Sequence, residues 1–494
     1  MKKLSVLFAI VLVASLVSFA MASGPRTTGF QIQNLDTAAV DVTVFYYNTN
    51  GTQQCSETAN LGVGESISYY QGAGSPISDC IGNDAGLTSW EGSVVIEATG
   101  PIAVIANIVE GTDYASGAYV GTPDTKVGDP LILPGIFGPS VYGFTGDFAV
   151  QNASAADTVV DIYFYGSADG APPSVLTKTI NDQTIKAYSS LYHDMETETG
   201  FPANWIGVAI VDSEDDAPLA GTVNQKPVSG APGALLTFDG VASDKIPASA
   251  DSSLPGLMKD YYDYWTGVQV IASVNGTAGN ILIYEPGNAT PVHTEAFALN
   301  QWESQALFVK DLALSDDVLY FGTVDFTAGS GASIVSQRDM AGAVAMTYSG
   351  IYADGTSENL SLPFVARNYW GVSTGFAVKN DGLAGTVNIY FDGSPGSGSV
   401  DFSIMSHALA AGESVNLFQW KPGCDADPAC PPQTLAGCTA GFCGSVSASY
   451  PEHWTGSVRV EGTAGMLLSS IVNERGYELG AIGDVGQVYN GFNY

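Results

Sequence analysis

Six cysteines, four histidines and a few clusters of carboxylates are the side chains whose chemistry goes beyond packing in this chain. Calcium takes several oxygen ligands, so carboxylates gathered on a loop are a start toward a calcium site. Glu214-Asp215-Asp216, Asp316-Asp317, and Asp425 with Asp427 are such clusters. None has the D-x-D-x-D-G spacing of a calcium loop. Calcium at Glu214, Asp215, Asp216, Asp425 and Asp427 is therefore the alternative expectation, and no other cofactor is expected. The cysteines read as disulfides. Cys55 and Cys80 are expected to pair, closing a loop whose constraint is worth roughly 3 kcal/mol. Cys424, Cys430, Cys438 and Cys443 crowd one late insertion, and their pairing is open. Their spacing matches neither a zinc site nor a c-type haem motif.

Catalytic spacing is absent. The chain has no H-E-x-x-H, no G-x-S-x-G, no phosphate loop and no dinucleotide fingerprint. His193, His293, His407 and His453 are scattered and share no common position. An enzyme is not expected. A formal charge of −34, from 16 Lys and Arg against 50 Asp and Glu, also excludes nucleic acid as a natural partner.

Four aromatic residues form a further candidate set. In alternating runs such as Val160-Asp161-Ile162-Tyr163-Phe164, the apolar residues at every second place face a core. Tyr163 then faces away, as do Phe45, Tyr284 and Tyr390 in their own runs. Such aromatics suit stacking on sugars, or packing against a neighbouring repeat or another chain.

The elements that position these residues recur along the chain. Trp90 to Asn107 returns at Trp205 to Asn224, more loosely at Tyr320 to Gln337, and at Trp454 to Asn473. Each copy has an aromatic, a glycine two places on, an alternating strand, a turn and a second strand. The aromatic is expected to plug a core, and the glycine to mark a bulge or a close backbone approach. Each copy closes on an aromatic followed two residues later by glycine, at Tyr119/Gly121, Phe238/Gly240, Tyr348/Gly350 and Tyr489/Gly491. A Leu-Pro pair stands at a fixed distance before a Thr-Gly at Leu133, Leu254 and Leu362, which implies shaped connectors between copies.

About seven short strands per copy, with turn signals between them, predict an all-β chain of four tandem antiparallel β-sandwich, Ig-like repeats. The expected divisions are a secretory signal peptide over 1–22 and repeats over 23–132, 133–253, 254–361 and 362–494, the last carrying the Cys-rich insertion. The signal is read from Lys2-Lys3, the apolar run from Leu4 and the small residues around Ala20-Met21-Ala22. No later apolar run is long enough to span a bilayer. Asn-x-Ser/Thr triplets at Asn50, Asn152, Asn275, Asn288 and Asn359 would suit glycosylation.

Thr28-Gly29-Phe30-Gln31-Ile32-Gln33-Asn34, Trp454-Thr455-Gly456-Ser457-Val458, Ile471-Val472-Asn473-Glu474 and Tyr489-Asn490-Gly491-Phe492 together resemble a loose group of exported bacterial proteins built of tandem all-β repeats. That resemblance implies a structural part and carries no catalytic residues. The expectation is a secreted cell-surface or matrix protein, structural or adhesive, built as a stiff rod that binds itself. The alternative is a module that binds surface glycans or calcium, with a secreted hydrolase as the least favoured reading.

Overall fold

The computed structural model describes residues 26–70, 90–110, 115–170, 174–228, 235–248, 251–261, 263–285, 288, 290–339, 345–352, 356–367, 372–393, 402–418, 454–476 and 486–493. The expected signal peptide, Cys80, the four late cysteines, Asp425, Asp427 and His453 lie outside them. Among the described residues the secondary structure is antiparallel strand, broken by three 3-10 turns, and no helix is long and apolar enough to cross a membrane.

The second segment, 131–242, shows the pattern. One sheet runs Val175–Ile185, Thr158–Ala168, Trp205–Ser213, Leu131–Phe137, Val241–Ala242. The facing sheet runs Ser190–Asp194, Phe144–Asn152, Leu219–Pro227, Leu236–Asp239. Phe148, Val150, Ile162, Phe164, Trp205 and Val223 close the core between them. The strand Thr158–Ala168 alternates buried and half-buried side chains as period-two patterning requires.

The fourth segment repeats both strand orders. The third has the same neighbours, but strands Ser252–Tyr261 and Tyr264–Ala272 form a hairpin that joins its two sheets into one. The first has Ser66–Tyr70, Arg26–Asn34, Ile102–Glu110, Ala115–Val120 facing Gln53–Leu61, Val40–Asn48, Gly92–Ala98.

The Leu-Pro pairs lie within strands. Leu131–Phe137, Ser252–Tyr261 and Asn359–Arg367 each pair with the Trp-type strand of their own segment. Each register slips at the Pro, between Leu133 and Ile136, Leu254 and Leu257, and Leu362 and Val365. The extra residue there makes a bulge. In two of these bulges a glutamine amide donates to the buried carbonyl of the bulge, Gln225 to Gly135 at 2.6 Å and Gln337 to Gly256 at 3.0 Å. The fixed spacing therefore belongs to a bulged strand and its turn.

The aromatic plug and its glycine are explained by one packing event. Trp205 is fully buried and its indole Nε1 donates to Thr177 Oγ1 at 2.9 Å. Its ring folds over Gly207, where a Cβ would lie 2.6 Å from the ring and 2.1 Å from the Tyr165 carbonyl oxygen. Trp90 sits likewise over Gly92, with 2.4 Å to a Cβ placed there. The glycine marks a close approach.

Register also corrects two alignments. Ser336, opposite Gly267, occupies the place of Asn107 and Asn473, opposite Gly29 and Gly375. Gln337 is one place further on. Leu282, opposite Thr323, occupies the place of Tyr163, opposite Ile210, so Tyr284 lies two residues beyond. The second slip arises because an alternating pattern shifted by two looks the same; the first is a shift of one, to the nearest amide side chain in place of the serine.

The expected rod is not the geometry found. The closing strands Ala115–Val120, Leu236–Asp239, Ala345–Ser349 and Gly486–Asn490 touch in a closed cycle, first to second, second to third, third to fourth, and fourth to first. The cores run across the joints in one sense. Ile334 and Ala345 enter the core of the second segment, Ile471 and Ala377 that of the third, and Ile105 and Ala118 that of the fourth. A rod leaves its first and last segments apart; here burial of Ile105 and Ala118 draws them together.

Candidate functional site: the axis and the joints

The closing strands bring one residue each to the centre of the cycle. Val120, Asp239, Ser349 and Asn490 follow the closing aromatics and pair opposite Ile105, Thr222, Ile334 and Ile471. Together with Ala118, Tyr119, Thr237, Thr347 and Tyr348 they line a small cavity. About 10 Å³ of it is open to the centre of a water-sized sphere, room for one water or one ion.

The cavity is polar. Asp239 Oδ1, Ser349 Oγ and Asn490 Oδ1 are cut off from solvent and have no hydrogen-bond partner. Asn490 Nδ2 donates across the joint to the Ser349 carbonyl at 3.0 Å. Thr347 Oγ1 donates to the Thr237 carbonyl of the preceding segment. Burial pushes the Asp239 carboxyl up to about 7, and the Val120 N–H that donates to it pulls only partly the other way. Burial, and then the Asp239 charge, raise the Tyr119 hydroxyl to about 12.

At the joints, one register position of the opening strand meets the preceding segment each time. Gln33 accepts from Ser361 Oγ at 3.0 Å. Gln151 Nε2 donates to the Val94 carbonyl at 3.4 Å. Ile271 packs with Ile132 and Val208. Lys379 Nζ donates to Thr323 Oγ1 at 2.9 Å, the Gly322 carbonyl at 3.1 Å and Ser253 Oγ at 3.2 Å, and pairs with Asp381 at 2.5 Å.

The outward aromatics do not make one free row. All four are half-buried. Tyr163 packs against the buried cluster at the second-to-third joint, which includes Ile210, Ile271 and Ala332, and its hydroxyl donates to Asp161 at 3.1 Å. Tyr284 lies near Asp325, Asp251 and Asp381, and burial, with these charges, raises its hydroxyl. Tyr390 carries the Arg459 guanidinium 5.0 Å over its ring. Phe45 is not brought together with the other three.

Among the described residues no three of His, Cys, Asp and Glu gather to hold a metal. Glu214, Asp215 and Asp216 form a turn in which Asp216 has φ of 54°, and Asp215 accepts from Thr158 and Ser213. Both bonds fall on its Oδ1. A different carboxyl group stands nearby: Asp129, pushed up to about 6 by burial and by Asp212 and Asp216, shares a hydrogen bond with Asp212. Asp251 and Asp325 share one in the third segment. Cys55 is not free.

Asn152 is no glycan acceptor here. It is fully buried, and Nδ2 donates to the carbonyls of Ala156, Ile185 and Lys186 at 2.7, 3.3 and 3.3 Å. Asn34 and Asn380 do the same in their segments.

The residues missed by sequence reasoning are Asp239, Ser349 and Asn490. Their signal in the sequence is the variable place between the aromatic and the glycine of each closure, where no common residue type marks the position. No family model matches this chain, and no curated protein matches it.

Proposed function

We propose that the chain is an exported structural or adhesive protein of the cell surface or extracellular matrix, in which four repeats of one sandwich are joined head to tail into a ring. It works by presenting surfaces. The observation that carries this reading is the disposition of sheet edges. One edge of each segment is spent on the central cycle. Strands Gln53–Leu61, Val175–Ile185, His293–Leu299 and Phe402–Leu409 each lie at the other edge, unpaired on one side among the described strands. An unpaired strand is a template for another chain. Val175–Ile185 is 11 residues long, and Val175 and Leu176 are 56% and 49% exposed.

Negative-stain electron microscopy of the chain from Ser23, with and without calcium, tests it. Filaments or sheets of compact particles are expected. Single particles under both conditions at high concentration would overturn self-assembly.

A second reading, glycan binding, is favoured by one group in the third segment. Trp265 and Phe308 lie edge to face at 6.0 Å, Phe308 is 42% exposed, and Lys310 sits 4.4 Å over the Trp265 ring. Such a platform stacks on sugar rings. Loss of glycan-array binding in Trp265→Ala, with assembly unchanged, would favour this reading.

A further inference from the structure

We propose that the cavity at the centre of the four closing strands binds a single hard, oxygen-coordinated cation of the sodium or calcium class, held by Asp239, Ser349 and Asn490.

Three buried oxygens without partners, on residues that line one small cavity, are costly, because a buried polar atom that makes no hydrogen bond loses its hydration without return. All three are acceptors or take an acceptor's role at a hydroxyl. A carboxylate oxygen, an amide carbonyl oxygen and a hydroxyl are the ligand types that hard cations take, alongside water. Nitrogen and sulfur ligands are absent from the described lining, which disfavours zinc and copper. Among the described residues no Lys or Arg forms an ion pair with Asp239.

Among the described residues the lining has one carboxylate. The hydroxyls of Tyr119 and Tyr348 are its other titratable groups. A monovalent ion would balance the charge of Asp239, whereas calcium would leave a positive charge that the acidic protein around it offsets in part. The place in the fold has a further consequence. The three ligands come from the second, third and fourth segments, and Asp239 also accepts from Val120 of the first. A cation here ties all four closing strands together. The site is incomplete in any one sandwich, which separates it from the acidic turns of the surface.

The test uses the whole chain from Ser23, stripped with chelator and dialysed into tetramethylammonium chloride. Thermal unfolding is followed at pH 8 in tetramethylammonium, sodium and calcium chlorides at matched ionic strength. A rise in Tm of about 2 °C or more is expected in a metal salt at saturation, and the salt that produces it identifies the ion. The rise is expected to vanish in Asp239→Asn and to persist in Asp216→Asn. Equal Tm in all three salts, meaning that the cavity holds water alone, would overturn the proposal. So would a rise that survives Asp239→Asn, which would mark surface screening. If Asp239→Asn does not fold, Ser349→Ala decides. A tenfold weaker midpoint in the metal titration supports the site, and an unchanged midpoint removes it.

Discussion

The Ser361 hydroxyl donates to the Gln33 amide oxygen at 3.0 Å across 328 positions of sequence, with both residues buried. This bond lies in the joint between the fourth segment and the first, where the burial of Ile105 and Ala118 closes the cycle. Ser361→Ala would leave the Gln33 oxygen buried and unpaired, at a cost of about 1 to 3 kcal/mol. Chemical denaturation of the variant checks the loss.

Closure predicts shape. A compact body of this length has a radius of gyration of about 23 Å, whereas four sandwiches in a line would give roughly twice that. Small-angle scattering of dilute monomer is expected to return a value near the smaller figure. The larger value would mean that the joint between the first and fourth segments opens in solution.

The joints differ in chemistry, and this predicts unequal responses. Lys379 is buried at 2% exposure in the joint between the third and fourth segments. Asp381→Ala removes the ion-pair partner of its ammonium and should cost about 3 kcal/mol. Lys379→Met keeps the stem and removes the charge, and is expected to cost less. Ile471→Ala, which empties the third core from the fourth segment, should cost about 2 to 5 kcal/mol. Unfolding in urea measures all three.

Acidic pH is expected to stabilise the metal-free chain. Asp239 and Asp129 have folded pKa values raised to about 7 and about 6 from 3.8, burial being the first cause in each. A carboxyl whose pKa is raised on folding binds its proton better in the folded state. Its contribution is therefore fully present below pH 4 and is lost as the pH rises through 6 to 7. Asp157, lowered by its bond with Lys186, acts in the opposite sense, below pH 4. Metal-free unfolding free energy should be larger at pH 5 than at pH 8, and Asp129→Asn should flatten part of that difference.

Gly207→Ala is expected to be more damaging than a methyl group suggests. Its Cβ would meet the Tyr165 carbonyl at 2.1 Å, which cannot move without breaking the strand pairing. A loss of about 3 kcal/mol or more follows from overpacking, read as a lower thermal midpoint.

Sequence alone determined the local fold. Alternation in Val160–Phe164 specifies a strand with one buried face, and a glycine two places after Trp205 specifies the close approach of ring to backbone. These features are legible because each depends on neighbours a few residues away or on a period of two. Only the tertiary structure decided the ring. Gln33, Gln151, Ile271 and Lys379 occupy one position in four joints, yet they act through two amides, an alkyl group and an ammonium. No common residue type announces that position. The axial oxygens were hidden for the same reason: Val120, Asp239, Ser349 and Asn490 share a place in the strand and not a chemistry, and their meeting depends on how four sandwiches pack.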